Sequence, residues 1–262
     1  MEHMRLLHGD CFERMLDLDD NSIDLTVTSP PYYNARDYSQ YEDVAAYMET
    51  MKNIFTRVYA KMKQGRMVCI NISPVIVART SRASQSYRIP LPFYFVPMME
   101  GIGFEFLEDI IWRKPDGSAA NRNGGFFRHR KPLAYKPNII TEYILVFKKP
   151  SPYLIDKHLQ NHSFVDDGYE RTNVWSINPE TASKHSAPFP VEIPLKLVQY
   201  YSYEKDIVFD PFMGSGTTGV ACMRTNRGFV GIELDDRYYR MAKERIGYDQ
   251  YCMMMEMFGP PY

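Results

Sequence analysis

The chain has 262 residues, a hydrophobic fraction of 45% and a formal net charge of −1 at pH 7. This length fits one large α/β domain, or one domain with an insertion, and it is sufficient to bury a sizeable core. No apolar run approaches the roughly 20 residues that span a bilayer, and the first residues lack the basic-then-apolar pattern of a signal peptide. We therefore expect a cytoplasmic protein without membrane segments.

The spacing of the cysteines and histidines argues against a metal site and against a disulfide framework. The four cysteines are scattered and contain no C-x-x-C pair, which fits a reducing compartment and argues against zinc. His158 and His162 lie one helical turn apart, but neither an acidic residue nor a cysteine accompanies them. No metal is predicted.

Apolar residues in the first part of the chain follow alternating strand and helix patterns. We predict strands over 4–8, 25–28, 67–72, 104–112 and 139–147, and helices over 44–62 and 89–99. The first helix has apolar residues at helical spacing, and Gly65 stands just past its end. This alternation predicts an α/β fold with a mainly parallel sheet that helices cover on both faces.

The predicted strand over 25–28 runs into Ser29-Pro30-Pro31-Tyr32, a loop with little conformational freedom. Each proline fixes its own φ and removes a backbone donor, and Pro31 also restricts Pro30. The Pro30 carbonyl and the Ser29 hydroxyl therefore form two acceptors beside the ring of Tyr32. Two acceptors and a stacking face suit a planar molecule that carries an amino group. The alternative is a proline-rich turn that only closes the strand.

The last third of the chain contains a β-α-β pattern with the features of a nucleoside site. Its elements are a strand over 206–210, a helix over 220–225, a strand over 228–232 and a helix over 237–246. Gly214 and Gly216 let the backbone approach a ligand, and Glu233 can accept from both ribose hydroxyls. The spacing is not G-x-G-x-x-G and no P-loop lysine follows, which disfavours a pyrophosphate. Asp210 would repel a phosphate but could face the cationic end of S-adenosylmethionine; a structural glycine turn is the alternative.

Basic residues are concentrated in the middle of the chain. Between positions 113 and 149, nine lysines and arginines are opposed only by Asp116 and Glu142, and the stretch 79–88 contains three arginines and no acid. Glycines, asparagines and aromatics interrupt these runs, which favours nucleic-acid binding over a merely solvated loop. The candidate DNA-binding residues are Arg79, Arg82, Arg88, Arg122, Arg128, Arg130 and Lys131.

Taken together, these loops resemble those of the amino-group DNA methyltransferases, which methylate the exocyclic nitrogen of cytosine or adenine. In that family D-P-F-x-G-S-G-T-T binds the cofactor, G-I-E-x-D binds the ribose and [DNS]-P-P-[YFW] is catalytic, and they match 210–218, 231–235 and 29–32 here. A weaker G-D-C element matches 9–11, and an H-x-A-x-F-P element matches 185–190 before a helix. The implied catalytic residues are Ser29, Pro30, Pro31 and Tyr32. The implied residues for S-adenosylmethionine are Asp10, Asp210, Pro211, Phe212, Gly214, Ser215, Gly216, Thr217, Glu233, Asp235 and His185.

The order of these motifs adds to the resemblance. In the family, a catalytic loop that precedes the cofactor loop is the permuted arrangement of the subgroup called beta. It implies a Rossmann-like methyltransferase fold in a single domain, 1–262, with a target-recognition region inserted within about 73–184. The basic stretches fall in that region, and double-stranded DNA is the implied partner. A homodimer and a cognate restriction enzyme remain open.

The implied chemistry is methyl transfer to a base that is flipped out of the duplex. Hydrogen bonds from its amino group to Ser29 and to the Pro30 carbonyl would favour a tetrahedral nitrogen with a localised lone pair. Tyr32 is expected to stack on the base, whereas Tyr33 is either a second ring of the site or a core residue. In the family, Ser at the first position of this motif goes with N4-cytosine more often than with N6-adenine, so the resemblance implies N4 of cytosine, with N6 of adenine as the alternative. A methyltransferase for RNA or protein amines and a non-catalytic nucleic-acid-binding module are the further alternatives.

Overall fold

The computed structural model describes residues 4–33, 41–79, 81, 84, 86–118, 124–133, 135–152, 164–165, 167–179 and 190–248. The strands are β1 (Met4–His8), β2 (Ile23–Thr28), β3 (Met62–Ile72), β4 (Val75–Val77), β5 (Tyr87–Ile89), β6 (Glu105–Arg113), β7 (Thr141–Lys148), β8 (Val174–Ser176), β9 (Ile207–Asp210) and β10 (Gly228–Glu233). The helices are α1 (Cys11–Arg14), α2 (Val44–Lys61), α3 (Leu91–Ile102), α4 (Gly124–His129), α5 (Glu192–Tyr201), α6 (Thr217–Arg224) and α7 (Asp236–Ile246).

Eight of the strands form one sheet in the order β1-β10-β9-β2-β3-β7-β6-β8, and β4 pairs with β5 in a separate hairpin. Strand β7 is antiparallel to both of its neighbours, while the other adjacent strands in the large sheet are parallel. Every residue of β2 is buried, as expected for a central strand covered on both faces. The predicted mainly parallel sheet is confirmed.

Helices cover the two faces of this sheet and form two apolar cores. Because side chains alternate along a strand, Phe209 packs on the side of α2 and α3, while Val208 packs on the side of α5 to α7. In the first core Phe55 of α2 meets Phe95 of α3 edge-on, with ring centroids 5.9 Å apart. In the second core Ile246 of α7 lies with residues of α5 and α6. The sheet is thus fixed between two helical layers.

Most predicted elements are present, with shifted ends that have local causes. Helix α2 begins at the Asp43 cap, whose Oδ1 accepts from the Ala46 amide at 2.8 Å. It ends earlier than predicted, because Met62 is already extended and pairs with Ile23 in the sheet. Gly65 (φ 75°) therefore lies inside β3 rather than beyond a helix. Among the described residues, no helix combines the length and the apolar character that a bilayer crossing requires.

Candidate active site

The candidate site lies where the strand order of the large sheet reverses. Strands β9 and β2 are neighbours, with Leu25 opposite Val208 and Thr26 opposite Phe209. From β9 the chain continues through α6 to β10 on one side, and from β2 it continues through α2 to β3 on the other side. Ligands of open α/β sheets bind outside the carboxyl ends of the strands at such a point. The proline loop (residues 29–32) begins just beyond the end of β2, and the glycine loop (residues 210–218) begins at the end of β9.

A buried hydrogen-bond cluster joins these two loops. The Asp210 side chain, 2% exposed, accepts at Oδ1 from the Thr28 hydroxyl at 2.7 Å and from the Phe212 amide at 3.1 Å. Its Oδ2 accepts from the Thr218 hydroxyl at 2.8 Å. Burial raises the pKa of Asp210 to about 6, although these hydrogen bonds act in the opposite direction. The carboxyl group therefore links the residue before Ser29 to the start of the glycine loop.

Replacing Asp210 with Asn is expected to flatten the pH dependence of stability. The pKa of Asp210 is raised on folding from the ordinary 3.8 to about 6, so folding takes up a proton in this interval and the carboxyl destabilises the fold as pH rises through it. When the pH is raised from 4 to 7.5, the unfolding free energy of Asp210→Asn should therefore rise by about 1–3 kcal/mol relative to that of the wild type. Urea unfolding at both pH values measures this gain, and a difference that does not change with pH would contradict it.

Glu233 closes the glycine loop from the neighbouring strand. Its Oε2 accepts from the Gly214 amide and its Oε1 from the Asp235 amide, both at 2.8 Å. Burial raises the pKa of this carboxyl group. Strand β1 pairs with β10 so that His8 lies opposite Glu233, and Asp10 follows at the N-cap of α1, where Oδ1 accepts from the Phe12 amide at 2.9 Å. The carboxyl groups of Asp10, just beyond β1, of Asp210 at the end of β9 and of Glu233 at the end of β10 therefore lie along one edge of the sheet.

The other predicted cofactor residues also lie at this edge, and several make structural contacts. Arg245 of α7 donates to the Ser215 hydroxyl at 2.7 Å and to the Thr217 hydroxyl at 3.2 Å, so both hydroxyls are directed towards α7. Pro211 is buried, and Phe212 packs against the core of α2 and α3. The Asp235 side chain caps α7 by accepting from the Arg237 amide at 2.9 Å. His185 lies outside the described residues.

The two loop glycines have different structural requirements. A Cβ at Gly216 (φ 81°) would lie 2.8 Å from Ile246 Cδ1 and 3.1 Å from Ala242 Cα, whereas a Cβ at Gly214 (φ 55°) would meet only the Phe212 carbonyl oxygen, at 3.9 Å. We predicted that both glycines allow a ligand to approach. At Gly216 the close packing of α7 against the loop is already sufficient to exclude a side chain.

We expect Gly216→Ala to be the more harmful of the two alanine substitutions. It combines a left-handed backbone with contact against α7, and should lower the unfolding free energy by about 2–5 kcal/mol. Gly214→Ala has open space and only the backbone cost, about 1–2 kcal/mol. Chemical unfolding of both variants measures the difference. Equal losses would show that α7 does not exclude a side chain from the loop.

In the proline loop, Pro30 is buried, and Ser29, Pro31 and Tyr32 are half-buried. The Tyr32 hydroxyl donates to Glu142 Oε2 at 3.0 Å. Burial, followed by the charge of Glu142, raises the pKa of the Tyr32 phenol well above its usual range. The Tyr33 ring packs edge-on against the buried Tyr47, with centroids 6.0 Å apart, which is the core contact that we had left open.

The structure brings parts of the two basic stretches together. Lys136 donates to the Ser86 hydroxyl at 3.1 Å, which links the residues after α4 to the β4–β5 hairpin. Arg79, Arg128, Arg130 and Lys131 are exposed, and Arg88 is half-buried. Arg82 and Arg122 lie outside the described residues.

Five residues of this region were not selected from the sequence: Thr28, Lys114, Glu142, Thr218 and Arg245. Glu142 had one sequence signal, because it is one of two acids in a strongly basic stretch. The threonines lie beside or inside the motifs, but a threonine in a buried strand or at a helix start is ordinary. Lys114, which donates to Glu142 Oε1 at 2.5 Å, and Arg245 carry no local signal, since their contacts exist only after the chain has folded.

A mainly parallel sheet with its ligand loops at the switch point is the architecture of Rossmann-like methyltransferases. The family model described as DNA methylase, for N6 and N4 methylation, matches residues 23–244. The Type II methyltransferase M.SmaI of Serratia marcescens is 30% identical over 274 residues, which cover 92% of this chain and 90% of that protein. The chain belongs to the N6/N4 DNA methylase family.

Other relatives agree with this assignment. The Type II beta methyltransferase M.BslI of Bacillus sp. is 34% identical over 257 residues, which cover 92% of this chain but 27% of that longer protein. The structure of TTHA0409 from Thermus thermophilus, complexed with S-adenosyl-L-methionine, superposes with a TM-score of 0.77 at 29% identity and covers 94% of each chain. PvuII DNA methyltransferase, which is cytosine-N4-specific, shares the fold with a TM-score of 0.70 at 21% identity.

Proposed function

We propose that this protein transfers a methyl group from S-adenosylmethionine to N4 of a cytosine in double-stranded DNA. The observation that carries the proposal is the buried hydrogen bond of 2.7 Å between Thr28 and Asp210. It joins the loop that can accept an amino group to the loop that can hold a nucleoside. A donor of methyl groups and an amine acceptor would therefore meet at one point of the sheet edge.

The residues of the glycine loop fit S-adenosylmethionine better than a phosphorylated nucleotide. The stretch 210–219 contains no lysine or arginine, and Asp210 and Glu233 make its surroundings acidic. Acidic surroundings suit a ligand with a sulfonium and an ammonium group and oppose a phosphate. When bound, S-adenosylmethionine supplies an electrophilic methyl group. We assign its binding to Asp10, Asp210, Pro211, Phe212, Gly214, Ser215, Gly216, Thr217, Glu233, Asp235 and His185.

These residues contribute in different ways. Each carboxylate oxygen of Glu233 accepts a hydrogen bond from one backbone amide and has a further lone pair, so it can also accept a hydrogen bond from a ribose hydroxyl. Ser215 and Thr217 contribute through their backbone, because their hydroxyls accept from Arg245. Asp210 places a negative charge beside a cationic ligand, which would compensate for the unfavourable burial of its carboxylate.

The catalytic motif makes a poor nucleophile reactive. The lone pair of a base amino group is delocalised into the ring, and hydrogen bonds to Ser29 and to the Pro30 carbonyl localise it by favouring a tetrahedral nitrogen. Because Pro31 fixes the geometry of Pro30, these acceptors do not need to reorganise during the reaction. The amino group is inside the duplex, so the base must be flipped out, and we assign the stacking face to Tyr32.

DNA binding is assigned to the inserted region of the single domain, within about 73–184. The hydrogen bond between Lys136 and Ser86 supports one continuous surface made by the β4–β5 hairpin and the residues after α4. Exposed arginines on this surface suit contacts to phosphates and to guanine edges. If this surface were only solvated, the aromatic residues within the basic stretches would have no role there.

Product analysis tests the proposal. The protein is incubated with unmethylated DNA and S-adenosylmethionine, and the DNA is digested to nucleosides for mass spectrometry. We expect N4-methylcytosine. N6-methyladenine would overturn the choice of base and leave the reaction class intact, and no methylated nucleoside on diverse DNA would overturn the proposed function.

A further inference from the structure

An ion pair on the antiparallel part of the sheet holds the hydroxyl of Tyr32. Glu142 lies near the start of β7, opposite Trp112 of β6, and its Oε1 accepts from Lys114 Nζ at 2.5 Å. Its Oε2 accepts from the Tyr32 hydroxyl at 3.0 Å. The side chains of the ion pair are largely buried, with exposures of 15% for Glu142 and 23% for Lys114. Each oxygen of this carboxylate therefore receives a hydrogen bond from a different segment of the chain.

The Lys114 ammonium is itself held from a second side. Its Nζ lies 4.5 Å from the centroid of the Trp112 ring, within the range of a cation–π contact. The Trp112 ring is fixed in turn, because its Nε1 donates to the Ile177 carbonyl oxygen at 2.9 Å. The carboxylate that receives Tyr32 thus has a rigid support at the carboxyl end of β6.

The hydrogen bond between Tyr32 and Glu142 reaches across one strand of the sheet. Tyr32 follows β2 and Glu142 belongs to β7, while β3 lies between these two strands. Strands β6 and β7 are already paired along their backbones as far as Arg113 and Thr141. A carboxylate that served only to join β6 to β7 would need no contact with the proline loop.

The Tyr32 side chain is consequently held at both of its ends. At the backbone it follows Pro31, whose ring restricts the chain, and at the hydroxyl it is bound to Glu142. Its ring packs against the core of α2 and α3 but is only half-buried, so part of the ring is open to a ligand. A side chain that is fixed before a ligand arrives loses little conformational entropy when the ligand binds.

We propose that Glu142, supported by Lys114, is a positioning residue that fixes the Tyr32 ring as the stacking surface for the flipped base. The inference rests on the proposed function, in which Tyr32 provides that surface. Without the bond to Glu142 the ring could enter other rotamers, and the base would have to bind the fraction of molecules that hold the stacking rotamer. Glu142 acts in this role only through the Tyr32 hydroxyl.

Tyr32→Phe and Glu142→Ala test this role, because each removes the anchoring bond and keeps the ring. The DNA substrate carries 2-aminopurine beside the target base, and its fluorescence rises when the neighbouring base leaves the stack. We expect the equilibrium constant for flipping to fall roughly 3- to 10-fold in both variants, the effect of releasing one immobilised side chain. The affinity for S-adenosylmethionine should equal that of the wild type.

Two control variants match these changes. Tyr33→Phe removes a hydroxyl from the neighbouring tyrosine, whose ring packs on Tyr47 and whose hydroxyl has no hydrogen bond among the described residues. Glu105→Ala removes a carboxylate that pairs with Lys148 across the same two strands, at the other end of β6, with an N–O distance of 3.9 Å. Both controls should flip the base as the wild type does.

A double-mutant cycle separates positioning from a structural role. If Glu142 acts only through Tyr32, adding Glu142→Ala to Tyr32→Phe should cause no further loss of flipping. Losses that multiply would overturn the proposal, as would a Tyr32→Phe enzyme that flips the base as the wild type does. If Glu142→Ala does not fold, the comparison of Tyr32→Phe with Tyr33→Phe decides, and equal flipping by these two variants would overturn the proposal.

These outcomes are distinct from failure of the proposed function. If the wild-type protein methylates no base in DNA, the function and the positioning role both fall. If the wild type is active and Tyr32→Phe flips the base equally well, only the positioning role is wrong.

Discussion

Ser29→Ala is expected to lower the single-turnover rate of methyl transfer about 100- to 1,000-fold, with the dissociation constant for S-adenosylmethionine changed by less than about twofold. In the proposed mechanism the Ser29 hydroxyl acts on the nitrogen as it becomes tetrahedral, so its interaction strengthens in the transition state. In the proposed site the cofactor is held by the neighbouring glycine loop and by Glu233, which the substitution does not reach. Rapid-quench kinetics and calorimetric titration measure the two quantities.

Ser22→Ala is the matched control for this prediction. Ser22 precedes the amino end of the same strand β2 whose carboxyl end leads to Ser29, and its hydroxyl donates to the Asp19 carbonyl oxygen at 2.7 Å. The control should retain the wild-type rate. Losses of similar size in rate and in cofactor affinity for Ser29→Ala would contradict a role in the transition state.

Glu233→Gln is expected to have the opposite signature. The wild-type carboxylate accepts hydrogen bonds from the backbone amides of Gly214 and Asp235. The substitution turns an amide NH2 towards one of these two donors, and it removes the negative charge. We expect the affinity for S-adenosylmethionine to fall roughly 10- to 100-fold, while the methyl-transfer rate at saturating cofactor changes less than about threefold.

Glu244→Gln controls for the loss of an acidic charge near this loop. Glu244 is exposed on α7, the helix whose Arg245 donates to the Ser215 hydroxyl. The Glu244→Gln variant should bind S-adenosylmethionine with the affinity of the wild type. A Glu233→Gln enzyme with normal cofactor affinity would show that Glu233 serves only the loop. Together, Ser29→Ala and Glu233→Gln separate the chemical step from cofactor binding on the two sides of the switch point.

The sequence predicted the local elements around the site well, for a physical reason. Buried strands such as β9 and β10 have apolar runs bounded by glycine, proline or acid, and these patterns do not depend on the rest of the fold. The β4–β5 hairpin and β8 were missed, because strands of three residues are too short to show a period. Gly65 was misread for a related reason, since a glycine after a helical pattern usually ends a helix.

The contacts between distant segments could not be predicted in this way. Thr28 and Asp210 are 182 positions apart, and their hydrogen bond exists only because β2 and β9 are adjacent. Glu142 reaches Tyr32 because β7 is inserted antiparallel to its neighbours, and no pattern along β7 indicates that neighbour. From the loop sequence we predicted that Gly216 allows a ligand to approach, and only the folded structure shows that Ala242 and Ile246 of α7 also exclude a side chain there.

The most direct test of the account is to locate the transferred methyl group. S-adenosylmethionine with a deuterated methyl group is incubated with DNA and either the wild type or Ser29→Ala, and the isolated nucleosides are fragmented in a mass spectrometer. We predict that the label from the wild type lies on the exocyclic nitrogen, and that Ser29→Ala yields almost none in the same time. Label on a ring carbon, or equal labelling by both proteins, would contradict an amine held at Ser29.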